Sequence, residues 1–117
     1  MVYPVAMPID TRQLEPGVAV VTVSGRLVVG RDIERLEALV GDLVKQAQKK
    51  FIFDITALDY ADSSGIGAIV ACVTQVRKAG GDFRVAGANL RIQRLFKLTG
   101  VDTLMPMYAT LADAAAV

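Results

Sequence analysis

The run Phe51-Ile52-Phe53-Asp54-Ile55 constrains the fold of this chain more than any other segment. It is short and apolar on both faces, so neither side of an extended chain is left for water, which is how a mid-sheet strand covered by helices reads. It follows a segment whose apolar positions Ile33, Leu36, Val40, Leu43, Val44 and Ala47 recur at helical spacing. Asp32 is the expected N-cap of that helix. Glu34 and Glu37 lie early and Lys45, Lys49 and Lys50 late, the arrangement that complements the helix dipole. Beyond the strand, Asp59-Tyr60-Ala61-Asp62-Ser63-Ser64-Gly65-Ile66-Gly67 forms a polar loop that runs into a second amphipathic helix. Ile66, Ile69, Val70, Val73 and Val76 mark that helix, and Ala79-Gly80-Gly81 stops it.

The flanks complete an α/β pattern. Residues 2–9 carry Pro4 and Pro8, which cannot donate to a ladder, so a strand there belongs at a sheet edge. Pro16-Gly17 turns the chain back into the β-branched run Val18–Val23, predicting a hairpin. Phe83-Arg84-Val85-Ala86 reads as a further strand. Asn89 caps a third helix with Leu90, Leu95, Phe96 and Leu98 facing inward and Gly100 closing it. Residues 101–105 are expected to form a short strand, and Thr110 to cap a small Ala-rich helix. The order β, β, α, β, α, β, α, β, α predicts one domain over residues 1–117, a mixed sheet of about five strands with about four helices packed on it.

Composition narrows the function classes. With no histidine and the single cysteine Cys72, common zinc sites, Cys-His pairs and Ser-His-Asp triads cannot be assembled. Cys72 falls in an apolar helical pattern and reads as a small core residue, which excludes a disulfide framework and points to a reducing, cytoplasmic setting. A formal net charge of +1, without a cationic cluster, lacks the footprint of nucleic-acid binding. No apolar run approaches the roughly 18 residues of a membrane span, and no basic-then-apolar leader is seen, so no direct membrane insertion is expected. No metal and no cofactor are expected. Met105 and Met107 read as packing filler.

The loop before the second helix carries the chemistry. The simplest reading of Ser63 is an N-cap, worth about 1 kcal/mol of stability. Three features go further. Two hydroxyls, Ser63 and Ser64, follow Asp62 where one cap suffices. Gly65 and Gly67 sit in the first turn, where each is unfavourable by up to about 1 kcal/mol against alanine and leaves bare backbone for a partner. A phosphoryl group on Ser63 would meet backbone donors at a helix start, yet with Asp62 and Asp59 nearby it would build a negative patch able to repel a partner suited to the neutral surface.

The stretch from Phe53 through Asp59, Asp62, Ser63, Ser64 and Gly65 to Gly67 resembles the hallmark of the STAS domain of bacterial anti-sigma factor antagonists. The bend Ser24-Gly25-Arg26-Leu27 and the Gly80-Gly81 stop also follow the family's layout. The resemblance implies that Ser63 is the phosphoacceptor in a partner-switching cycle. An anti-sigma factor that is also a serine kinase phosphorylates the antagonist with ATP. Unphosphorylated antagonist binds that kinase and frees the sigma factor, and a serine phosphatase resets the system. The chain would supply a hydroxyl rather than act as an enzyme. Partner-binding residues implied with Ser63 are Tyr60, Asp62, Ser64, Gly65, Ile66, Gly67, Leu27 and Val28. Well-studied members often carry an acidic residue where this chain has Val28, so the apolar loop over residues 27–30 is expected to meet its partner through apolar contact.

Two further readings compete. One keeps the fold without phosphorylation, as an accessory subunit of a lipid-transport ATPase or a component of a signalling complex. The other makes Ser63 or Ser64 an acyl-transfer nucleophile, but the chain lacks a histidine base and the Gly-x-Ser-x-Gly elbow. Ala68-Ile69 after Gly67 also excludes a Walker-type phosphate loop, which needs Lys and a hydroxyl there.

Overall fold

The computed structural model describes residues 9–116. Two antiparallel strands open it, β1 (Ile9–Glu15) and β2 (Val18–Val23). A short β3 (Gly25–Leu27) leads into α1 (Arg31–Lys45), followed by β4 (Lys50–Asp54), β5 (Leu58–Ala61) and α2 (Ser63–Lys78). Then come β6 (Asp82–Ala86), α3 (Leu90–Thr99), a 3-10 turn (Val101–Thr103), β7 (Met107–Tyr108) and α4 (Leu111–Ala115). The main sheet has the order β1-β2-β4-β6-β7, with β2, β4, β6 and β7 parallel and β1 the antiparallel edge. β3 and β5 form a separate two-stranded parallel pair.

β4 lies mid-sheet, as its sequence demands. Phe51 and Phe53 join a large core with Ala19, Val21, Leu36, Val40, Ile69, Val76 and Phe83 under the helices, and the Phe53 and Phe83 rings meet at 4.4 Å between centroids. Ile52 points the other way, into a smaller core where Val18, Val20 and Ala86 meet Ala114 of α4. Arg84 holds this second face together: it donates to the Ala114 carbonyl oxygen at 2.7 Å and pairs with Asp82 at 2.9 Å, tying the short C-terminal helix to the sheet. The period of two that separates Phe51 and Phe53 from Ile52 therefore builds both layers.

Several expectations are corrected. A strand over residues 2–9 falls on residues outside those described except for Ile9, and the strand that pairs with β2 is β1, Ile9–Glu15. Helix α1 is preceded by Gly30 at φ 146°, a conformation side chains resist, rather than capped by Asp32, which lies inside the first turn. Lys49 and Lys50 lie beyond α1; Lys50 begins β4. Residues 101–103 form the 3-10 turn instead of a strand, because the strand register resumes only at Met107, which pairs with Val85. In α3 the fully buried residues are Ile92 and Phe96, one turn apart, whereas Leu90 and Leu98 are 68% and 86% exposed. Asn89, Gly100 and Thr110 do take the capping roles their types suggest.

Candidate functional site

The site sits where β5 ends and α2 begins, and Asp62 builds it. Its backbone is extended (φ −87°, ψ −175°), and its Oδ1 accepts from the Gly65 N–H at 2.8 Å, so Asp62 rather than Ser63 is the N-cap. Its Oδ2 accepts from the Val29 N–H at 3.0 Å, across 33 residues of sequence. One carboxylate thus closes the start of α2 and holds the segment before α1 against it. The Asp62 N–H donates to the Leu27 carbonyl oxygen at 3.2 Å, continuing the β3–β5 pairing of Arg26 with Tyr60 and Leu27 with Ala61.

The donors on Asp62 lower its pKa below the ordinary 3.8. The Val29 N–H contributes most, then the Gly65 N–H, against a smaller opposing effect of desolvation. A carboxyl held below its unfolded value stabilises the fold above the unfolded pKa, and that stabilisation is lost as pH falls through the folded value. Asp62→Asn keeps an oxygen for the Gly65 N–H but sets an NH2 group against the Val29 N–H. Its melting temperature should therefore lie below that of the parent at neutral pH, and the gap should close on acidification below about pH 4. A gap unchanged through that range in calorimetric melts would show that the carboxylate charge plays no part.

Ser63 is the first residue of α2 and Ser64 the second, and both are exposed. Neither hydroxyl makes a hydrogen bond to the protein among the described residues. Ser64 lines an open hollow with Val29, Gly30, Arg31, Ile33 and Glu34. On the other side of the loop Tyr60 stands partly exposed, with the Arg26 guanidinium 4.7 Å from its ring centroid.

The expected partner-binding residues divide by burial. Tyr60, Ser63, Ser64 and Gly67 are exposed, and Asp62 and Val28 half-buried, so all six can be reached from solvent. Leu27, Gly65 and Ile66 are buried and support the site from behind. Gly65 is not bare backbone offered to a partner. A Cβ there would land on the Leu27 carbonyl oxygen and within 3.2 Å of the Leu27 side chain, so the glycine lets α2 sit directly on β3. Val29, 74% exposed beside Asp62, is a surface residue of the site that the sequence places only within the apolar loop over residues 27–30. Among the described residues no three His, Cys, Asp or Glu side chains gather to hold a metal, and no helix is long and apolar enough to cross a membrane.

Residues 5–114 match the family described as the STAS domain. The chain belongs to the STAS domain family. An anti-sigma F factor antagonist of Paenibacillus polymyxa is 28% identical to this STAS chain over 100 residues, 84% of each protein. A Thermotoga neapolitana protein named as an anti-sigma factor antagonist homolog is 25% identical over 73 residues, 62% of this chain and 65% of that one, so the match spans just under two thirds of that relative's length. Among solved structures, the anti-sigma factor antagonist SpoIIAA in its unphosphorylated form superposes with a TM-score of 0.79 at 20% identity over 92% of each chain. Bacillus SpoIIAA in the phosphorylated form gives 0.74 at 19% identity, over 92% of this chain and 96% of that one. These superpositions establish the mixed α/β STAS fold: a five-stranded sheet and four helices.

Proposed function

We propose that this STAS domain is an anti-sigma factor antagonist switched at Ser63. Unphosphorylated, it binds an anti-sigma factor that is also a serine kinase, through the surface of Val28, Val29, Tyr60, Asp62, Ser63, Ser64 and Gly67, and so frees the sigma factor. The kinase moves the γ-phosphoryl group of ATP to Ser63 Oγ; the serine proton passes to a base on the kinase and ADP leaves. A serine phosphatase later cleaves the phosphate with water. All of this takes place in the cytoplasm, where ATP is available, and the reacting machinery belongs to the partners.

The observation that carries this reading is the free, exposed Ser63 hydroxyl at the first position of α2, directly after a carboxylate that is already fully engaged. Because Asp62 takes the Gly65 and Val29 donors, a phosphate on Ser63 displaces no hydrogen bond that holds the fold. The helix dipole and the remaining first-turn donors tolerate it. The added charge of about −2 stands beside Asp62 and turns a mixed surface strongly negative. The likeness to a protein solved in both phosphorylation states fits this reading.

The test is to incubate the purified chain with ATP and each serine kinase of the anti-sigma type from its own genome, then map phosphate by mass spectrometry. One phosphate on Ser63, absent in Ser63→Ala, is the expected result. Phosphate on Ser64 or elsewhere with Ser63 untouched would overturn the assignment.

A further inference from the structure

Helix α3 holds the core with Ile92 and Phe96 alone among its fully buried residues, which leaves its outer face unaccounted for. Arg91, Arg94 and Leu98 on that face, with half-buried Leu95, which also packs against the core, are spaced i, i+3, i+7 and i+4, one continuous stripe. Together with Ile92 and Tyr60 of β5 they line an open hollow between the helix and the β3–β5 pair. Leu98, 86% exposed, is the most exposed large apolar side chain among those described. The cation Arg26 stacks on Tyr60 at the far wall.

The charge is as uneven as the hydropathy. α3 carries Arg91, Arg94 and Lys97 and no acidic residue, although the whole chain has a net charge of only +1. Arg91 and Arg94 form no ion pair among the described residues. The acids nearest in sequence are Asp82, which pairs with Arg84, and Asp102, which lies with Arg94 and Lys97 around a second hollow beside α3. Tyr60, Arg91 and Arg94 are of the residue types enriched in protein-binding hot spots, and here they surround an apolar floor of leucines and Ile92.

We infer that this face is a docking site for an amphipathic helix of a protein partner, one that lays an apolar stripe into the hollow and flanks it with acidic residues. In a helix-in-groove contact the incoming helix supplies the i, i+3, i+4, i+7 anchors; the apolar hollow would take them and the unpaired arginines supply the complementary charge. A second copy of this chain fits poorly, since it would bring arginine rim against arginine rim. The surface shares Tyr60 with the proposed kinase-binding face but does not depend on Ser63 chemistry: it would stand even if Ser63 is never phosphorylated.

The test uses the full chain and a fluorescent helical peptide with a leucine stripe flanked by glutamates, read by anisotropy, with a lysine-flanked version and a scrambled one as controls. The glutamate peptide should bind, bind more weakly as salt rises, and shift the amide resonances of Tyr60 and residues 91–98. Leu98→Ser, and separately Arg91→Glu with Arg94→Glu, should each weaken binding about tenfold or more while leaving the melting temperature within a few degrees, because the replaced side chains are exposed. No binding, equal binding of the lysine peptide, or shifts confined to other residues would overturn the proposal. So would tighter binding to vesicles of anionic lipid than to the peptide, or self-association in sedimentation that Leu98→Ser abolishes, since each assigns the face to a different occupant.

Discussion

Gly65→Ala is expected to destabilise the fold by about 3 kcal/mol, at the upper end of the usual penalty for overpacking, while Gly67→Ala two residues away leaves it unchanged or up to about 1 kcal/mol more stable. Both glycines lie in the first turn of α2 and both are replaced by the best helix former. The difference is what stands opposite. The new methyl at position 65 meets the Leu27 carbonyl, a backbone group that accepts the Asp62 N–H at 3.2 Å and cannot move without loosening the β3–β5 pair. At position 67 nothing lies within 4 Å of the new carbon. Chemical denaturation should therefore give a midpoint well below the parent's for Gly65→Ala and one at or above it for Gly67→Ala. Equal and small effects would mean that α2 does not sit against the Leu27 carbonyl of β3.

The second large effect concerns binding. If the chain binds an anti-sigma kinase as proposed, Ser63→Asp is expected to weaken that complex by about 10- to 100-fold, whereas Ser63→Ala should bind within a few-fold of the parent. Aspartate places one negative charge where phosphate places about two, beside a carboxylate already held ionised by its donors, so the substitution reproduces part of the repulsion. Neither variant should lose stability, because the Ser63 hydroxyl bonds to nothing among the described residues and the cap belongs to Asp62. Calorimetric titration separates the outcomes: if Ser63→Ala loses as much affinity as Ser63→Asp, the hydroxyl itself, and not the absence of charge, is what the partner reads.

Much of this architecture is visible in the residues. A strand apolar on both faces had to be covered on both, and β4 is. Gly100 and Thr110 act locally, and their chemistry alone places them; Asn89 caps locally too, although its amide also donates to the distant Leu58 carbonyl oxygen at 3.0 Å. What escapes the sequence depends on distant partners. β3 and β5 are three and four residues long, and each becomes a strand only by pairing with the other. Gly65 and Gly67 look alike in the chain and differ only in the carbonyl that one of them faces. Leu90 and Leu98 carry the hydropathy of core residues, but the sheet accepts only the Ile92–Phe96 side of α3. Asp62 and Ser63 are both good caps by type, and the second contact, to the Val29 N–H, is what favours the aspartate.

The seat that Gly65 provides has a consequence for how a signal leaves this molecule. With α2 resting on the carbonyl of Leu27, and Asp62 bridging it to the segment before α1, the first turn is held on two sides. Under the proposed switch, information written on Ser63 would stay where it is written. The domain would then serve as a fixed plate bearing a mark, and the work of changing shape in response would fall to whatever reads it.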